Sequence, residues 1–398
     1  MDITIYPQKL KGNINAIPSK SQAHRLLICA AFADDTTELI CPSTNQDIEA
    51  TASCLRSLGA TIIRNNNGYT VIPADSIPEA AVLNCNESGS TLRFMLPVAG
   101  ALGVDATFEL AGRLPQRPLS PLWEEMERMG CQLSRPTANT IHLQGRLQPG
   151  TYRIDGGVSS QFITGLLYAA ALMEGDSNIE IIGKLESKPY IDMTQQALEF
   201  FGIHAKAFSV TGCRPFRSPG KLSVEGDWSN GAFFLAAKKL GNDIIVEGLE
   251  NSSAQGDRAA AHLLEQLHEH LTIDAADIPD LVPILAATAG CFSGATFKNI
   301  ARLRLKESDR VATVADMIKR LGGNTLVSEN ELQVFPGKYI GCTIDAAGDH
   351  RIAMAAAIAA TAAEGPVTIL GAQCVAKSYP TFWEEYKKLG GRYEQYIR

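Results

Sequence analysis

Pro18-Ser19-Lys20-Ser21-Gln22-Ala23-His24-Arg25 runs straight into Leu26-Leu27-Ile28-Cys29-Ala30-Ala31. A polar, cationic start followed by an apolar run with no polar face predicts a helix buried on every side, with its chemistry confined to its first turn. The same arrangement returns five more times. Glu87-Ser88-Gly89-Ser90-Thr91-Leu92-Arg93 leads into Phe94-Met95-Leu96, and Gly156-Gly157-Val158-Ser159-Ser160-Gln161 into Phe162-Ile163-Thr164. Gly226-Asp227-Trp228-Ser229-Asn230-Gly231 leads into Ala232-Phe233-Phe234, and Asp277-Ile278-Pro279-Asp280 into Leu281-Val282-Pro283. The last is Gly348-Asp349-His350-Arg351 before Ile352-Ala353-Met354. Successive copies fall roughly 70 residues apart, except about 50 between the fourth and fifth, a period that marks a repeated supersecondary unit.

Each apolar run is followed by a more amphipathic helical stretch, which ends at a glycine in 47–59, 121–130, 190–202, 310–322 and 381–390. The fourth copy's partner, 257–271, lacks that glycine and carries His262, His268 and His270, read as solvent-facing side chains. Short β-branched stretches such as Thr61-Ile62-Ile63 and Tyr69-Thr70-Val71-Ile72 lie between the helices. The unit is therefore of βαβαβ type, repeated six times. An α/β fold of two domains follows, three units in each, with buried helices surrounded by sheets. Counting units places the first domain at 19–224 and the second at 1–18 plus 225–398. The first strand, Ile3-Thr4-Ile5-Tyr6, precedes the first unit and is free to pair with the second half of the chain.

The 398 residues exceed what one core usually organises, and 45% hydrophobic with 20% charged content describes a globular protein. A formal charge of −7 argues against nucleic acid as the main partner, so any positive field must be local. Cys29, Cys41, Cys54, Cys85, Cys131, Cys213, Cys291, Cys342 and Cys374 are scattered and odd in number, with no C-x-x-C spacing. Reduced thiols in a cytoplasmic protein fit them better than disulfides or zinc. The start of the chain reads as a strand rather than a signal peptide, and the apolar runs are too short to span a bilayer.

The helix starts and nearby loops carry Lys20, Ser21, Arg25, Arg93, Arg117, Ser159, Ser160, Gln161, Lys306, Arg310, Arg351 and Lys377. Cations at the starts of apolar helices are costly to desolvate unless an anion meets them, so equivalent positions of a repeat point to a polyanionic ligand. The densest cluster is Leu303-Arg304-Leu305-Lys306-Glu307-Ser308-Asp309-Arg310, placed before a helix that Ser308 or Asp309 would cap. Glu307 there reads either as part of a salt-bridged helix start or as a proton carrier held among cations. Asp280 is similarly open, between a helix cap and a base for a substrate hydroxyl. His350 reads as a hydrogen-bonded structural residue.

These motifs resemble, from end to end, the 5-enolpyruvylshikimate-3-phosphate (EPSP) synthase family. The resemblance rests on Pro18-Ser19-Lys20-Ser21 with Arg25, on 303–310, on Gly348-Asp349-His350-Arg351, on Ser187-Lys188-Pro189-Tyr190-Ile191 and on Ala376-Lys377-Ser378-Tyr379-Pro380. It implies two inside-out α/β domains with the active site in the cleft between them. It also implies transfer of the enolpyruvyl group of phosphoenolpyruvate to the 5-hydroxyl of 3-phosphoshikimate, with release of phosphate and no metal or organic cofactor, by a monomer. By the same resemblance Lys20, Ser21, Arg25, Ser159, Ser160, Gln161, Ser187, Asp280 and Lys306 hold 3-phosphoshikimate. Lys20, Gly89, Arg117, Gln161, Arg310, Arg351 and Lys377 hold phosphoenolpyruvate, and Asp280, Glu307 and Lys20 handle protons.

Two departures stand out. Glu87 occupies a place where the family usually has asparagine, and the loop Ala111-Gly112-Arg113-Leu114-Pro115-Gln116-Arg117 lacks the commoner double arginine. A related UDP-N-acetylglucosamine enolpyruvyl transferase is disfavoured by Ser21 with Arg25, by Ser159-Ser160-Gln161, and by a 113–117 loop without cysteine. A non-catalytic phosphometabolite binder on the same repeat would be expected to lack Asp280 or Glu307, and both are present.

Overall fold

The six apolar runs form helices Lys20–Ala31, Gly89–Leu102, Ser160–Leu172, Trp228–Lys239, Val282–Ala289 and His350–Ala359. Five are capped by a side-chain oxygen that accepts a backbone N–H: Ser19, Ser88, Ser159, Asp227 and Asp349. The fifth, Val282–Ala289, has no such cap and carries Pro283 in its first turn, where a missing N–H does no harm. These helices are buried nearly throughout; in His350–Ala359 every residue is buried, the histidine and arginine included. The computed structural model describes residues 1–212 and 214–396, so Cys213 lies outside the described residues.

The chain divides into two compact units, Pro18–Val224 and Met1–Ile17 with Glu225–Arg398. Within Pro18–Val224 there are three four-stranded sheets. In one, Ala80–Asn86 pairs in parallel with Asp105–Leu110 across the crossover helix Gly89–Leu102. The sheet is completed by the antiparallel strands Thr140–Gly145 and Cys131–Ser134. The unit thus reads strand, buried helix, parallel strand, amphipathic helix, hairpin. A βαβ crossover needs a helix to cover it, and the buried helix is that element. The first copy takes its leading strand from the end of the unit: Lys221–Ser223 pairs in parallel with Thr37–Ile40.

The other unit repeats the scheme with two variations. The N-terminal strand Asp2–Tyr6 lies between Val367–Leu370 and Arg392–Tyr396 and pairs antiparallel with both, Ile3 facing Ile369 and Gln395. The fourth copy forms only a parallel pair, Lys11–Asn15 with Asp243–Glu247. Its missing hairpin accounts for the shortened spacing before the fifth copy. Its second helix spans Ala259–Gln266, after a 3₁₀ turn Gly256–Arg258, rather than the expected 257–271. The helix stops early because Leu271–Asp274 is drawn into a parallel ladder with Ala295–Lys298. His262, His268 and His270 are exposed, the last two beyond the helix.

Each unit has its own core, one around Leu27, Phe94, Leu96, Phe162 and Leu167, the other around Phe233, Leu285, Met317, Ile352 and Phe382. Truncating one such leucine to alanine costs roughly 2–5 kcal/mol. Among the described residues no helix is long and apolar enough to cross a membrane, and the eight described cysteines are free thiols.

Candidate active site

In the unit Met1–Ile17 with Glu225–Arg398, the helix starts meet around one buried guanidinium. Arg310, the first residue of helix Arg310–Arg320, donates from Nη1 to Asp280 Oδ1 at 2.8 Å, from Nη2 to Glu307 Oε2 at 2.7 Å, and from Nε to Asp349 Oδ2 at 2.9 Å. Its side chain is 1% exposed. Asp309 rather than Ser308 caps this helix, accepting from the Ala312 N–H. Ser308 instead donates to Asp349 Oδ2 at 3.0 Å. Asp280 also receives Arg351 Nη2 at 2.8 Å, with Lys306 Nζ 3.6 Å from its Oδ1.

Burial of Asp280 opposes its charge, yet Arg351, Lys306 and Arg310 together hold its carboxyl well below the usual range. Burial brings Lys306 down to about 8, against the opposing pull of Asp280. Behind this cluster Asp257 accepts from the Ser229 hydroxyl. Burial, with Asp280 nearby, pushes the Asp257 carboxyl up to about 7. Lys377 ends the 3₁₀ segment Ala372–Lys377 and is buried.

In the unit Pro18–Val224 a second set gathers at three helix starts. Lys20 opens its helix and pairs with Asp47 at 2.9 Å. The Thr91 hydroxyl lies 2.8 Å from Ser88 Oγ and 3.4 Å from the Asp47 carbonyl oxygen, with one proton to give, and it is in hydrogen-bonding contact with Thr51, which in turn meets His24 Nδ1. Gln161 joins the other two starts, donating to Ser90 Oγ at 2.9 Å and accepting from Arg93 Nη1 at 3.0 Å. Arg117 lies over Gly89: a Cβ there would stand 2.5 Å from its Nη1 and 2.8 Å from Arg93 Nη1. Glycine leaves this helix start open toward two guanidinium groups.

The remaining expected residues are placed as follows. Ser159 caps its helix by accepting from Gln161 N, and Ser160 is the first helical residue. Ser187 is buried with φ 55° before helix Lys188–Phe200. Arg25 is buried and donates to Thr194, the Ser21 carbonyl, Thr164 and the Tyr190 carbonyl. These four bonds use most of its five N–H groups, so Arg25 also braces the chain around Ser21 and Tyr190. Asp280, Lys306, Glu307, Arg310 and Arg351 therefore form one cluster, and Gly89, Arg117 and Gln161 another. Asp47, Asp349, Ser90 and Asp257 were not expected as members. Asp349 stood in a quoted motif, and its place as cap of an apolar helix was the available signal; Asp47 entered only as the first residue of the helical stretch 47–59.

The family model described as EPSP synthase (3-phosphoshikimate 1-carboxyvinyltransferase) matches residues 5–277 and 268–386. A 3-phosphoshikimate 1-carboxyvinyltransferase of Clostridium kluyveri is 36% identical, over 99% of this chain and 98% of its own. That of Clostridium acetobutylicum is 38% identical, over 98% and 97%. An EPSP synthase from Acinetobacter baumannii superposes with a TM-score of 0.81 at 24% identity, covering 99% of this chain and all of that one. The enolpyruvyl transferase NikO from Streptomyces tendae gives 0.77 at 17% identity, over 99% and 98%. At these identities the structural likenesses speak for the fold, the two-domain inside-out α/β arrangement, and the sequence matches speak for the family. Matched along nearly its whole length by both model and relatives, this chain belongs to the EPSP synthase family.

Proposed function

We infer that the chain transfers the enolpyruvyl group of phosphoenolpyruvate to the 5-hydroxyl of 3-phosphoshikimate, in the shikimate route to aromatic amino acids. The observation that carries the residue roles is the cluster of Asp280, Glu307, Arg310, Arg351 and Lys306, which sets two carboxylates among three cations. In the reaction the 5-hydroxyl oxygen attacks C2 of phosphoenolpyruvate while its methylene carbon gains a proton. A methyl proton is then lost as phosphate leaves. Glu307 is the group that gives and retrieves the proton at carbon, since arginine is a poor proton carrier. Asp280 takes the hydroxyl proton.

Held by Arg310, Arg351 and Lys306, Asp280 is a weak base at rest. An arriving anion competes for Arg351 and Lys306, weakens their hold and raises the basicity of Asp280. Lys306 serves 3-phosphoshikimate together with Ser21, Arg25, Ser159, Ser160, Gln161 and Ser187, while Arg117, Gly89, Arg310, Arg351 and Lys377 serve phosphoenolpyruvate. Lys20 contributes to both and assists proton transfer. A cytoplasmic location, which the free thiols among the described residues fit, and a monomeric state are part of the same proposal. The test is phosphate release from phosphoenolpyruvate, expected only when 3-phosphoshikimate is present; release without it, or none with it, defeats the reading.

A further inference from the structure

The loop that delivers Arg117 is tied to the start of helix Gly89–Leu102 at both of its ends. At one end Ala111 N donates to the Asn86 carbonyl at 2.8 Å. At the other, Arg93 Nη2 donates to the Pro118 carbonyl at 3.0 Å. Between the two ties the Glu87 carboxylate fills the space left by the missing side chain of Gly112. A Cβ built on Gly112 would overlap that carboxylate, and the backbone there has φ 55°. Only glycine meets both conditions without strain. The chain then turns through the 3₁₀ segment Leu114–Gln116, anchored by the buried Leu114, and Arg117 follows with its guanidinium over Gly89.

Glu87 is itself exposed and stands two residues before Gly89. A carboxylate this close to an anion-binding helix start calls for a use, and its place over Gly112 supplies one. We propose that Glu87 and Gly112 form a seat that sets where Arg117 lies over Gly89, and so govern affinity for phosphoenolpyruvate. Glu87 is a positioning residue in this scheme and Arg117 makes the contact. The inference rests on the reading of Arg117 given under Proposed function.

Initial rates of phosphate release for the wild type, Glu87→Ala, Glu87→Gln and Gly112→Ala, with each substrate varied in turn, test it. Glu87→Ala should raise the KM for phosphoenolpyruvate about tenfold, the loss expected when a charge-assisted contact is displaced, while the KM for 3-phosphoshikimate stays within about twofold. Glu87→Gln, which keeps the shape of the side chain, should recover most of that loss. Gly112→Ala should shift the same constant in the same direction. Should it fail to fold, the exposed Glu87 pair still decides the matter. Equal effects on both substrates, or no effect in Glu87→Ala, overturn the seat while leaving the activity standing. A wild type that releases no phosphate overturns the activity reading itself, and the seat with it.

Discussion

Arg310 Nη2 donates to Glu307 Oε2 at 2.7 Å, three residues back along the chain, while the rest of the same guanidinium is held by Asp280 and Asp349. Glu307 is therefore oriented by a group that two other carboxylates hold in place and that 1% exposure keeps from solvent. A proton carrier needs this kind of fixed aim, because a displaced carboxyl loses most of its effect on the reacting carbon.

Replacing Glu307 by glutamine keeps an acceptor for Arg310 and removes the titratable group. Turnover should fall by at least about 10²-fold, the low end for a general acid–base residue. Binding of 3-phosphoshikimate, followed by calorimetry, should change little. A variant that turns over near the wild-type rate would move the proton to another group, with Lys20 the next to test.

Asp349 should matter for folding more than for chemistry. Fully buried, it accepts from Arg310 Nε, Ser308 Oγ and the Arg351 N–H. Asp349→Ala leaves a buried guanidinium short of charge and removes a helix cap. A loss of about 3–5 kcal/mol is expected in urea unfolding. An unchanged midpoint would mean that Asp280 and Glu307 alone hold Arg310.

Lys306, brought down to about 8 by burial, carries its charge below that pH and sheds it above. Affinity for the doubly charged phosphate of 3-phosphoshikimate should thus weaken as pH rises through about 8. Calorimetric titrations from pH 6.5 to 9.5 should show this limb, and Lys306→Arg should carry it upward. A limb that stays at the same pH in the variant would belong to another group.

His24 has the opposite kind of consequence, for stability. Burial drives its ring down to about 3, against an ordinary 6.5. The native state thus holds it neutral at pH values where the unfolded chain binds a proton. Its contribution is complete above about 6.5 and disappears as pH falls toward 3. Between pH 7 and 4.5 the wild type should lose about 2–3 kcal/mol more than His24→Gln in urea unfolding. Parallel losses in the two proteins would refute this.

Gly89→Ala places a methyl group against Arg117 and Arg93. The KM for phosphoenolpyruvate should rise more than that for 3-phosphoshikimate, by about tenfold or more. Equal changes would make Gly89 a packing glycine only.

The sequence by itself determined the elements and their count. A run such as Ile352-Ala353-Met354-Ala355-Ala356-Ala357, apolar on every face, has one stable destination, a helix enclosed by other structure, and its repetition predicts the six units. The shortened interval after the fourth copy was visible too, and it corresponds to the hairpin that copy lacks. Partnership was decided only in three dimensions. Ile3-Thr4-Ile5 spells a strand but does not say that it will lie between Val367–Leu370 and Arg392–Tyr396, because a strand's hydrogen-bonding edge is the same for any partner. Lys20 with Asp47, Arg310 with Asp349, and Glu87 against Gly112 were likewise unreadable in one dimension. A charge on a loop or helix start has many candidate partners along the chain, and which one it meets depends on how the buried helices pack their first turns together.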